Sequence, residues 1–423
     1  MEHKFLTPPF DESYGASMTD CVVVGAGPAG LAASAALTAC GIDHAVLERA
    51  RAGQTWSTQR WDSLRLNHPG WMNPMLGDQP PHTYLTAAEV AQRLRRLAAC
   101  VPVREDTPVL ALSPQSTGFV LQTGNGLLHA RTVVVATGGE NVPRTPPLAR
   151  RLPAGIAQLH AAEYRRPTQL PEGAVLVVGS AQSGYQIAEE LLEAGRRVIL
   201  ATSRAGRAPA RHRGCDVLEL LAAGGFFHQR PHDLPDPSVM HAPQPLLAPG
   251  GRSASLQSLA RAGATLAGRL VAVDGPRLGF DDSVATNIAA ADAFAARIRA
   301  LLDQFAHPRR SLPPEEPDPA DRAVELDPPT TLHANRAGIG SVIWCTGYTG
   351  DFSWLAPPLL DAAGHPRREG AAAVVPGVWY LGLRWLTRRC SGNFLGFPSD
   401  AATVVDGIAA RLGARPGARQ LVP

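Results

Sequence analysis

The stretch CVVVGAGPAG, residues 21–30, decides the fold of this chain. A short apolar run leads into a turn with glycines at Gly25, Gly27 and Gly30, and an alanine-rich segment follows. This spacing predicts a strand, a tight turn and a helix whose backbone amides approach a pyrophosphate at the positive helix end. The next apolar run, residues 45–47, ends at Glu48. In a βαβ dinucleotide fold, a carboxylate at this position accepts a hydrogen bond from the adenosine ribose.

A second unit of the same kind ends in the opposite charge. The apolar run 175–178 leads into GSAQSG, residues 179–184, and the run 198–201 is followed by Thr202, Ser203 and Arg204. No acid lies between residues 200 and 207, so Arg204 is placed to pair with a 2′-phosphate. An arginine-rich chain can place an arginine there by composition alone, but the pair of units predicts two different dinucleotides.

Ala181 departs from the pattern, since it occupies the position of the middle glycine in the second turn. Its methyl group stands where the backbone makes its closest approach to the pyrophosphate. We therefore expect the second site to bind its dinucleotide more weakly than an ideal site, or in a shifted pose. The first turn has no such departure.

Length and composition set the broad class of protein. A chain of 423 residues is too long for one compact core and fits two domains, or one domain inserted into another. Apolar residues make up 45% and charged residues 18%, and the net charge is only +3, with basic residues scattered along the chain. This balance indicates neither nucleic acid nor an anionic membrane as a partner. Lys4 is the sole lysine, which excludes the lysine of a P-loop.

The cysteines are widely spaced and form neither a Cys-x-x-Cys pair nor a cluster with histidine. This pattern predicts no redox disulfide and no metal site, and a reduced, cytoplasmic setting is the expectation. Residues 1–20 are polar and lack the basic start and apolar run of a signal peptide. Residues 22–39 are apolar enough to resemble a membrane span, but their glycines and Pro28 favour the dinucleotide turn.

The order of these motifs predicts an α/β fold with two dinucleotide-binding Rossmann-like domains. We expect residues 1–165 and 331–423 to form one discontinuous domain, with residues 166–330 inserted as the second. Proline-containing segments at 141–147 and 165–172 predict two hinge strands. Residues 231–249 contain six prolines in a long loop, which suits a lid over a substrate pocket.

Hydrophobic periodicity predicts the remaining elements. Helices are expected near residues 87–100, 217–222, 283–305 and 399–412. Strands are expected near residues 109–112, 118–122, 132–136, 341–345 and 379–383, with a hairpin at 270–280. The apolar stripe of the helix expected after residue 283 is interpreted as core packing and not as a cofactor surface.

Further motifs occur in one order along nearly the whole chain. They are QTW at 54–56, RWDSLRLN at 60–67, ATG at 136–138, GSAQSGYQ at 179–186, IWCTGY at 343–348 and YLGL at 380–383. Together with the two glycine turns, they resemble the class B flavoprotein monooxygenases. That family includes flavin-containing monooxygenases, plant auxin-forming monooxygenases and a bacterial branch often labelled as potassium-transport flavoproteins. The resemblance implies FAD in the first dinucleotide site and NADPH in the second.

The resemblance also implies which residues contact each cofactor. The FAD set comprises Gly25, Gly27, Pro28, Ala29, Gly30, Glu48, Arg49, Gln54, Thr55, Trp56, Leu66, Val109, Thr137 and Gly138. The NADPH set comprises Gly179, Ser180, Gln182, Ser183, Gly184, Ser203 and Arg204. In the family, the segment at Leu66 and Asn67 passes beside the reactive edge of the flavin ring, and Thr137 and Gly138 close over the bound nucleotide.

The activity implied by the resemblance is monooxygenation. Hydride passes from NADPH to the flavin, O₂ adds at the flavin C4a carbon, and the hydroperoxide gives one oxygen to a soft nucleophile such as an amine or a thioether. The protein then has to exclude water and to hydrogen-bond the adduct. Asn67 is the first candidate for that hydrogen bond, because an amide donates and accepts without changing its charge. Asn393 is the second candidate.

Both asparagines have a structural alternative. Asn67 precedes His68-Pro69-Gly70 and Asn393 follows Ser391-Gly392, and asparagine is common in such turns without any catalytic role. Three large apolar residues are candidates for the walls of the pocket, although such residues more often belong to the core: Trp71, Trp385 and Phe394.

One family fingerprint is incomplete. The family carries Phe-x-Gly-x-x-x-His-x-x-x-aromatic in the connector between its domains. His160 and Tyr164 fit this pattern, whereas Ala154 and Ile156 replace the phenylalanine and the glycine. A hydrogen-bonded structural histidine is therefore an alternative interpretation of His160. The mismatch disfavours a standard Baeyer–Villiger enzyme.

Two alternatives to oxygenation stay open. One is a flavin-dependent NADPH reductase or oxidase, and the other is a non-enzymatic flavoprotein that reports the NADPH state to a partner. The expected partners of a monooxygenase are a small-molecule substrate and O₂, with no nucleic acid and no membrane. Neither the identity of the substrate nor the oligomeric state can be read from the sequence.

Overall fold

The computed structural model describes residues 18–305 and 313–413. Its first sheet joins strands from both ends of the chain, because Val378–Tyr380 pairs in parallel with Gly126–Val135. The strands of this sheet run in the order Arg368–Glu369, Ala372–Ala373, Val378–Tyr380, Gly126–Val135, Thr19–Val24, His44–Leu47 and Val103–Arg104. Val109–Gln115 and Gly118–Thr123 extend it as an antiparallel meander onto Gly126–Val135.

The central strands of this sheet are apolar because both of their faces are covered. Thr19–Val24 and His44–Leu47 pair in parallel with Val22 opposite Ala45, and their carboxyl-terminal halves are buried. The helices Pro28–Ala39 and Phe397–Leu412 pack against one another over the sheet. Continuous buried runs of this kind are typical of parallel sheets covered by helices.

The second sheet is wholly parallel. Its strands run in the order Thr265–Ala267, Val198–Ala201, Ala174–Val178, Ile339–Trp344 and Ala157–His160. The outer pair formed by Ile339–Trp344 and Ala157–His160 comes from outside residues 166–330, so this sheet extends beyond the range expected for the inserted domain. The division of the chain into domains stays a prediction.

The chain passes between the two sheets at two adjacent places. There, Val142–Pro143 pairs antiparallel with Tyr348–Thr349. The hinge strand expected at 141–147 is this short strand. The prediction of a hinge strand at 165–172 is wrong, since the chain forms a 3₁₀ turn at Pro167–Gln169 instead. Proline at 167 and 171 leaves no amide for a strand ladder at those positions.

The helices lie close to their expected positions, with two additions, Gln54–Thr58 and Leu256–Arg261. They are Pro28–Ala39, Gln54–Thr58, Ala87–Ala98, Gln182–Glu193, Val217–Ala223, Leu256–Arg261, Val284–Phe305 and Phe397–Leu412. The sequence interpretation missed Leu256–Arg261 and the strand Thr265–Ala267 that follows it. The sequence signal for this helix is the pair Ser255 and Ser258, three residues apart. In the structure these two serines exchange the hydrogen bonds of a capping box.

Smaller elements complete the structure. The expected hairpin is confirmed as Leu270–Asp274 with Arg277–Phe280, and Thr331–His333 adds a third strand. A two-residue ladder joins Arg211–His212 to Cys215–Asp216. Residues 231–249, the loop expected to act as a lid and called the lid segment below, contain 3₁₀ turns at Pro231–Asp233 and Pro237–Met240.

The described residues contain neither a candidate membrane-spanning helix nor a candidate metal site. Within 18–305 and 313–413, no helix combines the length and the apolar composition that crossing a bilayer requires. The same residues contain no group of three or more histidine, cysteine or acidic side chains arranged to hold a metal ion.

Candidate functional site

The first glycine turn is packed tightly at two positions and open at the third. At Gly25, φ is 105° and a Cβ would lie 2.8 Å from the carbonyl oxygen of Ala136. At Gly30, a Cβ would lie 1.8 Å from the carbonyl oxygen of Gly25. At Gly27, a Cβ would meet no atom within 4 Å. The outer glycines are therefore needed for the turn itself, whereas the space beside Gly27 is available to a ligand at the N-terminus of Pro28–Ala39.

Glu48 lies at this turn, held by the backbone. Its Oε2 atom accepts a hydrogen bond from the Ala26 amide at 2.7 Å, and its Oε1 atom accepts one from the Ala50 amide at 3.1 Å. Each carboxylate oxygen has a further acceptor position, so Glu48 can also accept hydrogen bonds from ribose hydroxyls. Ala29 is buried behind the turn, and Arg49 is exposed beside it.

The loop that carries Gln54, Thr55 and Trp56 is tied to the same turn. These residues form the short helix Gln54–Thr58, and the amide of Gly53 just before it donates to the carbonyl oxygen of Ala26 at 3.1 Å. The Gln54 side chain accepts from the Arg51 amide at 3.2 Å, which steadies the loop. The loop therefore lies beside the first glycine turn.

Thr137 and Gly138 follow the strand Gly126–Val135 and lie next to the turn through Ala136. The Thr137 hydroxyl is buried and has no hydrogen-bond partner among the described residues. A buried hydroxyl without a partner is costly, so a bound nucleotide is a fitting partner for it. Gly138 has φ of 78°, and a Cβ there would meet no atom within 4 Å.

The other expected FAD contacts, Leu66 and Val109, lie in or against the first core. Leu66 is buried in the first core, which also contains Leu85 and Leu94. Val109 begins the strand Val109–Gln115 and pairs with Thr123, so its backbone is fixed by the sheet.

The second glycine turn repeats the geometry of the first. At Gly179, φ is 102° and a Cβ would lie 2.4 Å from the carbonyl oxygen of Cys345. At Gly184, a Cβ would lie 1.8 Å from the carbonyl oxygen of Gly179. Ala181 stands at the open position, immediately before the helix Gln182–Glu193.

Ser203 is bonded to the second turn, and Arg204 is not bonded to any described residue. The Ser203 amide donates to the Ser180 hydroxyl at 2.9 Å, and the Ser180 amide donates to the Ser203 hydroxyl at 3.3 Å. Arg204 is exposed and makes no hydrogen bond or ion pair within 18–305 and 313–413. Arg207, in contrast, is buried between Asp292 and Asp321, so Arg204 is the arginine available to a phosphate here.

Gln182 holds the lid segment. Its amide nitrogen donates to the carbonyl oxygen of Leu247 at 2.5 Å, and its amide oxygen accepts from the Leu247 amide at 3.1 Å. In this structure the Gln182 amide is therefore committed to the lid segment rather than free for a cofactor. Ser183, the next residue, is half-buried in the first turn of the helix.

Asn67 lines a narrow cleft beside the lid segment. Other walls of this cleft are Tyr84, Asp216, Leu247 and Ala248. Asn67 is half-buried, and its side-chain amide makes no hydrogen bond with the described part of the chain. The amide is thus available to a ligand in the cleft.

His68 contributes no positive charge beside Asn67. Burial lowers the pKa of His68 to about 4, so its imidazole is neutral near pH 7. Its Nδ1 atom has no hydrogen-bond partner among the described residues. The ring centroid lies 6.2 Å from that of Phe394, which in turn lies 5.6 Å from the ring of Trp56.

Asn393 is committed to a turn. Its Oδ1 atom accepts from the Leu395 amide at 3.1 Å and from the Gly396 amide at 3.3 Å, directly ahead of the helix Phe397–Leu412. This geometry favours the turn interpretation of Asn393 over a catalytic contact.

The expected wall residues differ in their surroundings. Phe394 packs against Trp56 and Phe397. The indole N–H of Trp71 is buried and lacks a partner in the described residues. Trp385 is buried with φ of 52°, a strained value for a bulky residue, and Arg389 lies 4.7 Å over its ring.

Both ring nitrogens of His160 are hydrogen-bonded to backbone groups. Its Nδ1 atom accepts from the Ala162 amide at 3.1 Å, and its Nε2 atom donates to the carbonyl oxygen of Gly347 at 3.1 Å. Burial lowers the pKa of His160, which keeps the ring neutral. The contact with Gly347 joins the outgoing connector to the returning strand, as expected of a structural histidine.

Glu190 is a residue that the sequence interpretation missed. Its Oε1 atom accepts from the Ser63 hydroxyl at 2.8 Å, and its Oε2 atom accepts from the Tyr164 hydroxyl at 2.9 Å. One carboxylate on Gln182–Glu193 thus joins the loop near Asn67 to the connector. The sequence could have indicated such a residue, because the hydroxyl groups of Ser63 and Tyr164, each in a family motif, both need a hydrogen-bond partner.

Comparisons with known proteins agree with this arrangement. Residues 22–214 match the model of the family described as pyridine nucleotide-disulphide oxidoreductase. The chain is 29% identical over 398 residues to an uncharacterized CzcO-like oxidoreductase of Geobacillus kaustophilus, which covers 92% of this chain and 98% of that protein.

Solved structures show the same fold. A flavin-containing monooxygenase from Stenotrophomonas maltophilia gives a TM-score of 0.64 at 22% identity, over 93% of this chain and 99% of that one. OTEMO, solved in complex with FAD and NADP, gives a TM-score of 0.56 at 15% identity, over 94% of this chain and 86% of that one. The chain therefore shares the fold of flavin-containing monooxygenases and is similar in sequence to CzcO-like oxidoreductases.

These findings settle the coarse predictions. The α/β fold with two Rossmann-type dinucleotide units is confirmed. The expectations of an enzyme and of FAD and NADPH agree with proteins of the same fold, of which OTEMO was solved with FAD and NADP. The individual contact residues stay predictions, as do the domain boundaries.

Proposed function

We propose that this protein is an FAD- and NADPH-dependent monooxygenase that inserts one oxygen atom of O₂ into a small organic substrate by N- or S-oxygenation. The observation that carries the proposal is the opposite charge at two otherwise matching turns. Glu48 is fixed at the first turn, and Arg204 is exposed at the second, with no ion-pair partner among the described residues. A ribose hydroxyl suits the carboxylate, and a 2′-phosphate suits the guanidinium.

The residues at the first turn fit FAD. The position beside Gly27 is open at the N-terminus of a helix, where a pyrophosphate is favoured. The buried hydroxyl of Thr137 lacks a protein partner in the described range, and the neighbouring Gly138 leaves space for a ring or ribose. Gly27, Glu48, Thr137 and Gly138 would therefore hold the FAD.

The residues at the second turn fit NADPH less closely. Ser203 is held against the turn and Arg204 is free to pair with a 2′-phosphate. The Ala181 methyl group stands at the position that is open in the first turn, which supports weaker binding at this site.

Bound FAD supplies the redox and oxygen chemistry, and NADPH supplies the hydride. The protein side chains bind, orient and shield. Asn67 would hydrogen-bond the reacting group as donor or acceptor, because its amide has no protein partner in the described residues and keeps its charge throughout. The neutral His68 ring adds no competing charge or acidic proton. Leu247 and Ala248 line the cleft, and their apolar side chains would disfavour water there.

A second candidate function is a flavin-dependent NADPH reductase or oxidase. The Ala181 methyl group is the observation that favours it, since a loosely held dinucleotide protects the reactive centre poorly from water. In that case electrons from NADPH would reach O₂ or another small oxidant, and no oxygen atom would enter a substrate.

Labelled oxygen separates the two candidates. The FAD-loaded protein would be incubated with NADPH, ¹⁸O₂ and either methyl phenyl sulfide or N,N-dimethylaniline, followed by mass spectrometry of the products. We expect a sulfoxide or an N-oxide that carries one ¹⁸O atom. Formation of hydrogen peroxide alone, with both compounds and at full NADPH consumption, would contradict the monooxygenase proposal and support the oxidase.

The variant Asn67→Ala tests the role of the free amide. We expect more NADPH to be lost as peroxide, with the FAD content unchanged. Asn335→Ala is the matched control, since Asn335 is an exposed asparagine in a turn away from the cleft. Equal peroxide yields from the wild type and Asn67→Ala would remove Asn67 from the site.

A further inference from the structure

Arg60 carries a positive charge that forms no ion pair with the described residues. Its guanidinium lies 5.3 Å from the centroid of the Trp56 ring and 5.9 Å from that of the Tyr348 ring. The guanidinium makes one hydrogen bond to the described part of the chain, from Nη1 to the carbonyl oxygen of Gln59 at 2.8 Å. Arg60 is half-buried, so its remaining N–H groups can donate to a ligand.

The acid that follows Arg60 in sequence is committed to other arginines. Asp62 Oδ1 lies 2.8 Å from Arg165 Nη2, and Asp62 Oδ2 lies 3.6 Å from Arg166 Nη1. Arg165 and Arg166 thus share one carboxylate, and Arg60 has none among residues 18–305 and 313–413. The charge that this loop leaves uncompensated is positive, and an anion is the ligand that suits it.

Arg60 borders the second glycine turn through Tyr348. Tyr348 follows Cys345 by three residues, and a Cβ at Gly179 in the turn would lie 2.4 Å from the Cys345 carbonyl oxygen. Next to Tyr348, Gly347 has φ of 82°, and a Cβ there would meet no atom within 4 Å. This segment therefore touches the second turn and leaves open space beside the ring over which Arg60 lies.

Arg60 itself belongs to the first dinucleotide unit. It follows the short helix Gln54–Thr58, which carries Trp56 and is tied to the first glycine turn by the hydrogen bond from Gly53 to Ala26. A cation of the first unit thus lies at the border of the second site. A ligand held at the second turn can use this cation as well as the groups of its own unit.

The second unit supplies little positive charge for an anionic ligand. NADPH carries two anionic groups, the 2′-phosphate and the pyrophosphate. Arg204 is available to the 2′-phosphate, but residues 179–193, which form the turn and the helix after it, contain neither lysine nor arginine. The Ala181 methyl group also stands where the backbone would approach the pyrophosphate. A cation from outside the unit would compensate for both deficits.

We propose that Arg60 donates to the pyrophosphate of NADPH at the second turn, so that the first unit completes the cofactor site of the second. This inference rests on the proposed function, because it takes NADPH as the ligand of that turn. Arg60 and Arg204 then bind different parts of one molecule. Loss of Arg60 weakens every ligand that carries the pyrophosphate, whereas loss of Arg204 weakens those that carry the 2′-phosphate.

The variant Arg60→Gln removes the charge and keeps a polar side chain. Arg60→Lys keeps the charge without the planar fork, so it should bind the cofactor less tightly than the wild type and more tightly than Arg60→Gln. Arg166→Gln is the matched control, since it removes a positive charge from the same surface, at an exposed arginine that already shares an acid.

Three nucleotides that all carry the 2′-phosphate provide the probes: NADP+, 2′-phospho-ADP-ribose, which lacks the nicotinamide, and 2′-AMP, which also lacks the pyrophosphate. Isothermal titration calorimetry of the FAD-loaded protein would measure the Kd of each. We expect Arg60→Gln to weaken NADP+ and 2′-phospho-ADP-ribose by about tenfold to a hundredfold, as for a charged hydrogen bond. The Kd of 2′-AMP should be unchanged, which also shows that the site is folded. Arg166→Gln should bind all three as the wild type does.

Four results would overturn the inference. They are an unchanged Kd for NADP+ in Arg60→Gln, an equal loss in Arg166→Gln, an equal loss for 2′-AMP, and a loss for NADP+ without one for 2′-phospho-ADP-ribose. The labelled-oxygen experiment separates this inference from the proposed function. An ¹⁸O-labelled product together with an unchanged Kd in Arg60→Gln removes the inference alone. The expected losses of affinity with hydrogen peroxide as the sole product leave the inference standing and remove the monooxygenase.

Discussion

Gly27 and Ala181 share one backbone conformation, with φ and ψ of −75° and −177° at Gly27 and of −75° and −165° at Ala181. Each stands immediately before the helix of its βαβ unit. The two positions therefore differ by a methyl group, at the point where a dinucleotide comes nearest to the backbone. That methyl group can be exchanged between the two sites without a change of backbone geometry.

Ala181→Gly should strengthen the binding of NADPH. The variant opens the second turn, and glycine is a better residue than alanine at a helix cap, so the helix is not weakened. We expect the Kd for NADPH to fall by about threefold to tenfold, or about 1 kcal/mol. Fluorescence titration of the FAD-loaded protein would measure it. An unchanged or higher Kd would show that the methyl group does not face the ligand.

Alanine should have different effects at the glycines of the first turn. Gly30→Ala would drive a Cβ into the carbonyl oxygen of Gly25 and should cost about 3 kcal/mol of stability. Gly27→Ala has open space around its Cβ, so it should unfold like the wild type but retain less FAD. Thermal unfolding and the flavin content after desalting would measure the two effects. Equal unfolding temperatures for both variants would contradict the packing described for the turn.

Arg204→Ala should lose the preference for NADPH over NADH. Among the described residues, the guanidinium of Arg204 has no hydrogen-bond or ion-pair partner. Its loss should therefore remove only the pairing with the 2′-phosphate. We expect the ratio of kcat/KM values to fall by about tenfold to a hundredfold. Arg336→Ala is the control, since Arg336 is also exposed and lies in the turn before Ile339–Trp344. An unchanged ratio would remove Arg204 from the site.

His68 should make the protein sensitive to acid. The pKa of His68 is lowered from 6.5 to about 4 by burial, so the unfolded chain takes up this proton at a higher pH than the folded one. The corresponding stability is present above about pH 6.5 and is lost as the pH falls towards 4, to a total of about 3 kcal/mol.

Urea unfolding of the FAD-loaded protein between pH 7 and pH 4.5 would measure this loss. In His68→Leu we expect a flatter decline than in the wild type, and His241→Leu, at an exposed histidine, should behave like the wild type. Parallel curves for the wild type and His68→Leu would show that the imidazole is not buried.

The parts of the fold that are local in sequence could be predicted from it. Glu48 and Arg204 each follow a glycine turn at the spacing that one βαβ unit imposes, so their placement at the turns needs no knowledge of the rest of the chain. The strand Ala157–His160 could not be assigned to the second sheet, because its partner Ile339–Trp344 is distant in sequence.

The contacts that shape the cleft were beyond prediction for the same reason. Gln182 and Leu247 are 65 residues apart, and Ser63 and Glu190 are 127 residues apart. Asp216 ends a short two-residue ladder and has the sequence pattern of an ordinary helix cap. Only packing brings it to the cleft that Asn67 lines. Such long-range packing has no signature in a single sequence.

Reduction of the bound flavin tests the central claim most directly. The protein would be saturated with FAD, desalted, and mixed without oxygen with NADPH or NADH in a stopped-flow spectrophotometer. We predict that one FAD is retained per chain, and that NADPH at limiting concentration reduces it at least about tenfold faster than NADH. A chain that retains no flavin, or a flavin that both nucleotides reduce at the same rate, would contradict the assignment of two oppositely charged dinucleotide sites.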